Sequence, residues 1–135
     1  MTSQATGTFD VKVAPLPTGE SVPGLKVARF SIDKVWKGDI EGTSKGEMMA
    51  IDTPVKGSGG YVAIEVVEAS IKGRKGTFTF LHEATMRTNS EFHMSIKVLP
   101  DSGTGELTGL EGSIEIVIEG KNHSYRFDYT LPDSK

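Results

Sequence analysis

The chain has no cysteine, so disulfides, thiolate metal sites and a cysteine nucleophile are excluded. That suits a reducing compartment, and a cytoplasmic location is the expectation. No apolar run approaches the ~20 residues that a membrane-spanning helix needs. The opening Met1-Thr2-Ser3-Gln4-Ala5-Thr6 has neither a basic stretch nor an apolar one, so no signal peptide and no membrane partner are expected. A basic excess is also missing. The net charge of -3 argues against a nucleic-acid partner. Lys72, Arg74 and Lys75 do cluster, but around a glycine turn, where a solvated hairpin tip is the simpler reading than a phosphate site. Helical spacing is absent from every window.

What the chain does have is alternation. Apolar and polar residues exchange with period two over 5–13, 25–36, 39–51, 60–72, 76–87, 91–99, 113–119 and 123–131, which predicts eight strands. Ala28, Phe30, Ile32 and Trp36 share one parity of the second. Short turns at Lys37-Gly38-Asp39, Lys72-Gly73-Arg74-Lys75, Thr88-Asn89-Ser90 and Gly120-Lys121-Asn122 join most of them as hairpins. Two longer loops, 14–24 and 52–60, read as mobile surface segments flanking a binding mouth. A chain of 135 residues built this way is expected to be one all-β domain. The predicted fold is an eight-stranded, mostly antiparallel up-and-down barrel or flattened sandwich, since closure removes exposed edges.

The segment Asp101-Ser102-Gly103-Thr104-Gly105-Glu106-Leu107-Thr108-Gly109-Leu110-Glu111-Gly112 carries four glycines inside its last ten residues. It is expected to turn tightly and restart the seventh strand. Three other segments stand with it: Trp36-Lys37-Gly38-Asp39-Ile40-Glu41-Gly42-Thr43-Ser44, Gly60-Tyr61-Val62-Ala63-Ile64-Glu65, and the stretch from Gly73 to His82. Their order and spacing resemble a bacterial family of small proteins known as domain of unknown function three-two-two-four. The glycine run is also similar to that of allene oxide cyclase barrels. These resemblances imply an eight-stranded, lipocalin-like barrel and no particular activity.

Hairpin arithmetic supplies a candidate site. With Gly73-Arg74 as a two-residue turn, Glu65 lies directly opposite His82 on a face shared with Tyr61, Ala63, Val67, Phe78, Phe80 and Ala84. A carboxylate and an imidazole among apolar groups form a plausible pocket floor; a structural ion pair is the alternative. The other face of this hairpin, with Val62, Ile64, Val66 and Leu81, is the more apolar and is a candidate for the main core, and alternation leaves open which face points inward. With Thr88-Asn89 as a two-residue turn, Phe92, Met94, Ile96 and Val98 join it. The same register puts His93 beside His82, which makes His82, His93 and Glu65 a conceivable zinc set, although no metal-ligand spacing supports one and no cofactor is implied.

Asp101-Ser102-Gly103-Thr104 fits the Asp-Thr/Ser-Gly-Thr/Ser string of aspartic peptidases. Such a site needs a second carboxylate that shares one proton with the first, and Glu41 and Glu106 are candidates. Asp52-Thr53-Pro54 lacks the glycine of a second string. Pro100-Asp101-Ser102-Gly103 is equally an ordinary turn. There is no Gly-x-Ser-x-Gly elbow, and no Gly-Lys-Ser/Thr follows the glycine run.

The leading expectation is a protein that binds a small apolar or amphipathic ligand, or a short peptide, in or at the barrel mouth. Tyr61, Phe80, His93 and Glu41 are its candidate lining residues, beside Glu65 and His82. The alternatives are an acid hydrolase using Asp101 and a non-catalytic oligomeric interaction protein. Apolar residues on both faces of the strands point to a homo-oligomer.

Overall fold

The computed structural model describes residues 2–17, 27–89 and 92–132. Eight antiparallel strands follow one another around a closed barrel, and the last pairs with the first. They are β1 (Ser3–Leu16), β2 (Val27–Gly38), β3 (Ile40–Asp52), β4 (Gly59–Ile71), β5 (Arg74–Met86), β6 (His93–Val98), β7 (Glu111–Glu119) and β8 (Asn122–Thr130). The expected all-β up-and-down barrel is the observed architecture. The structure extends β1 through Pro15, which pairs with Phe30. Proline is admissible there because the β1–β8 ladder runs only from Ser3 to Thr8, so the missing N–H faces no partner strand. Most of the loop expected at 14–24 lies outside the described residues.

The β4–β5 turn sits one position earlier than expected. Ile71 pairs with Arg74, and Lys72 and Gly73 both have positive φ, 48° and 87°. This is the conformation that a type I′ hairpin requires, and an x-Gly pair supplies it. The whole ladder therefore slips by two residues and Glu65 pairs with Phe80, not with His82. Between β5 and β6 the error is of the other parity. Phe80 pairs with Val98 and His82 with Ile96 across a connection longer than two residues. A one-residue slip exchanges the faces, so Ile96 and Val98 point into the barrel and His93 points out.

The inside is the face that carries Glu65 and His82, and the more apolar face of the β4–β5 hairpin lies outside. Phe9, Trp36, Ile40, Val67, Phe78, Phe80, Tyr125 and Phe127 are buried there, while Val62, Ile64 and Val66 stand on the outer surface. Closure decides this, because the inner wall takes the aromatic rings, which stack and meet edge-on: Phe78 on Phe127, Phe78 against Phe80, Trp36 against Tyr125.

The glycine-rich run completes the wall. After Leu99 the chain runs beside the start of β5, makes a single 3-10 turn over Gly105–Leu107, and buries Leu107 and Leu110 in the core. Ser102 Oγ and Thr104 Oγ1 accept the N–H groups of Thr79 and Thr77 at 3.0 Å each, which stitches the run to β5. The run does lead into β7, and on the way it lies along the edge of β5 that β6 leaves unpaired and fills the wall there.

Candidate functional site

Among the described residues, Lys34, Ser44, Glu65 and His82 are the buried polar or charged ones, and all four face the barrel interior. Each sits at an inward position of its strand, on β2, β3, β4 and β5 in turn. Glu65 is wholly buried, at 0% exposure, with Lys34 at 6% and His82 at 5%. Lys34 Nζ donates to Glu65 Oε1 at 2.9 Å. The Ser44 hydroxyl donates to Glu65 Oε2 and in turn accepts the Trp36 indole N–H at 3.1 Å. His82 Nε2 also stands 2.9 Å from Oε1 and has no other polar partner among the described residues. The contact links the imidazole to the carboxylate, so Nε2 is a buried nitrogen whose one polar neighbour among the described residues is Glu65.

Burial by itself would push the Glu65 carboxyl up. His82, the Lys34 ammonium and the Ser44 hydroxyl outweigh it and hold the group at about 2. Glu65 is thus an anion across the physiological range, matched by the Lys34 cation. That cation lies 4.8 Å from the Phe9 ring centroid and 5.1 Å from that of Trp36. Aromatic faces give an ammonium that has left water a second source of stabilisation.

Glycine makes the reach from β2 to β4 possible. Gly46, the β3 residue paired with Glu65, approaches β4 so closely that a Cβ there would lie 2.0 Å from the Ile64 carbonyl oxygen. Lys34 pairs with Ser44 and reaches diagonally across β3 to Glu65.

Packing differs on the two sides of this polar layer. Toward the closed end, the core is continuous. Toward the other end, Ile32, Ala63 and Ala84 are buried but do not join the main cluster. Further up, Val13, Met86, Met94 and Ile118 occupy inward positions, yet all four are exposed. Apolar side chains that face inward and still meet solvent mark an open mouth. Tyr61 is half-buried in this upper part, and burial pushes its phenol up. The 52–60 loop at this rim is tied down. Ser58 Oγ accepts the Thr88 N–H at 2.9 Å, and the Thr88 hydroxyl donates to the Lys56 carbonyl. Between β6 and β7 the wall is thin, with one ladder pair, Lys97 and Ser113, among the described residues.

The sequence-predicted residues divide. Glu65 and His82 come together, on the diagonal and not side by side. Phe80 is inside but fully packed among rings, and Tyr61 is inside near the mouth. His93 is on the outer face, so the set His82, His93 and Glu65 does not assemble. Glu41 is an exposed outward residue near the closed end, because β3 turns its even positions inward. Asp101 is exposed on the connection leaving β6, with φ of 62°. Glu106 Oε1 accepts the Lys75 N–H at 3.2 Å. Lys34 and Ser44 were missed. Lys34 has the parity of Ile32 and Trp36, and a lysine between two inward residues was the available signal.

A crystal structure of a protein of unknown function from the DUF3224 family of Shewanella oneidensis MR-1 is 39% identical and superposes with a TM-score of 0.88, over 99% of this chain and 100% of that one. No curated protein matches the chain. The family model described as protein of unknown function (DUF3224) matches residues 5–129, and the chain belongs to that family.

Proposed function

We propose that this barrel binds a small amphipathic molecule through its open end, with the apolar body among the upper wall residues and a polar end at the Glu65–His82–Lys34 layer. The observation that carries this reading is the buried polar layer of Lys34, Glu65 and His82 beneath a solvent-reached apolar mouth. Binding sites of this kind pair an apolar lining with a few fixed polar groups. A core built only for stability gains little from a buried ion pair, which packed apolar groups of similar volume can replace without loss. The Glu65 anion and Lys34 cation largely cancel, so a neutral hydroxyl- or carbonyl-bearing end suits the layer better than a full charge.

Titration with an environment-sensitive amphipathic fluorophore tests the proposal. Saturable binding with one site per chain is expected. It should be lost in Ala84→Trp, which puts a large ring at the inward position between His82 and the mouth, and weakened in His82→Phe. Perturbation of the His82 ring resonances on addition of the probe gives a readout independent of those variants. A folded protein that binds no probe, or one whose His82 resonances do not move, overturns the reading.

A further inference from the structure

On the outside of the barrel, three successive outward positions of β4 are apolar. Val62 and Ile64 are each 54% exposed and Val66 is 51% exposed. Met49 on β3 and Leu81 on β5 flank them. Two shallow grooves of about 620 and 630 Å³ run along this face and share Met49 and Val62, so the surface is continuous. It is also local. From Gln4 to Lys12 the outward positions of β1 are polar, with Ala14 and Leu16 following only at its far end, and those of β8 are Asn122, Ser124, Arg126, Asp128 and Thr130. A contiguous apolar patch with a polar rim marks an interaction surface.

The rim charges indicate what covers it. Lys45 pairs with Val66 on one side of β4, and Glu83 pairs with Val62 on the other. The two therefore stand at diagonally opposite corners, with Ile64 midway between them. Lys45 is 85% exposed and reaches Asp33 only at 4.0 Å, and Glu83 has no ion-pair partner among the described residues. Glu47, beside Ile64 on β3, is already held by Arg29, and Glu68 follows Val66 on the same face of β4. In an isologous interface, residue i of one copy meets j of the other and j meets i. A two-fold axis that lies in the contact plane, runs oblique to β4 and passes over Ile64 brings each Lys45 onto the Glu83 of the second copy and crosses the two apolar rows at Ile64. We propose that this outer face of β3, β4 and β5 is where two copies of this chain associate, sheet against sheet. The mixed-sign rim suits a second copy better than a partner of one charge, because it complements itself.

Sedimentation velocity over a dilution series tests this. The wild-type chain should dimerise reversibly, and Ile64→Lys should be monomeric with an unchanged far-ultraviolet spectrum, since the residue is exposed. Lys45→Glu and Glu83→Lys should each weaken the dimer about tenfold or more. The double exchange should restore it. A wild-type chain that stays monomeric at every concentration overturns the proposal, as does a dimer that survives Ile64→Lys. Failure of the double exchange to rescue overturns the two-fold axis over Ile64. The fluorophore site faces the barrel interior, so its loss or retention is scored separately.

Discussion

Glu65 and His82 meet across the β4–β5 ladder on the diagonal, with Oε1 2.9 Å from Nε2, although neither is the other's paired residue. Inward positions two residues apart on neighbouring strands lie within reach of long side chains. The same oxygen receives Lys34 Nζ from two strands away, so one carboxylate ties β2, β4 and β5 together.

The first prediction concerns acid. Glu65 holds its proton at about 2 in the folded chain against an ordinary 4.5. As pH falls, the unfolded chain takes up this proton first. Stability that is present above about 4.5 is therefore lost progressively toward about 2. Urea unfolding over that range should show a steeper fall for the wild type than for Glu65→Gln. Parallel profiles would show that the carboxylate is not held as described.

Removing one member of the buried pair should cost more than removing both. Lys34→Met leaves the Glu65 charge without its cation and should destabilise by about 3–5 kcal/mol. Lys34→Met combined with Glu65→Gln should recover much of that loss. Denaturant midpoints of the two single variants and the double variant close the cycle, and simple additivity would contradict the coupling.

Two glycines should respond for different reasons. Gly46→Ala drives a methyl group into the Ile64 carbonyl and should cost about 1–3 kcal/mol through forced separation of β3 and β4. Gly73 has open space around it, so Gly73→Ala carries only the left-handed backbone penalty of about 1 kcal/mol. Thermal melts should rank them in that order.

Leu107→Ala tests the glycine-rich run. The side chain is wholly buried in the core cluster, and its truncation should cost about 2–5 kcal/mol. Hydrogen exchange should accelerate first at Thr77 and Thr79, whose N–H groups bond to the run that carries it.

How far the residues alone led is clear at particular positions. The eight strands, and the company of Glu65 and His82 on one face, follow from period-two alternation, and a register error of two residues leaves that company intact. The β5–β6 error was of one residue, and it sent Ile96, Val98 and His93 to the wrong faces. Lys34 escaped notice because its partner is not on an adjacent strand, and strand pairing says nothing about a side chain that crosses a neighbour.

The amino-acid sequence by itself determined the strands, most of their turns and the two faces that each strand presents, because these depend on local spacing and on glycine at positive φ. The tertiary structure decided which face went inside. Both faces of β4 are rich in apolar groups, and alternation cannot rank them. Only closure, which gives the inner wall to the aromatic rings of β5 and β8 and leaves Val62, Ile64 and Val66 outside, could place Glu65 in the interior. Once it was there, the cost of burying its charge required the cation and the hydroxyl that Lys34 and Ser44 supply.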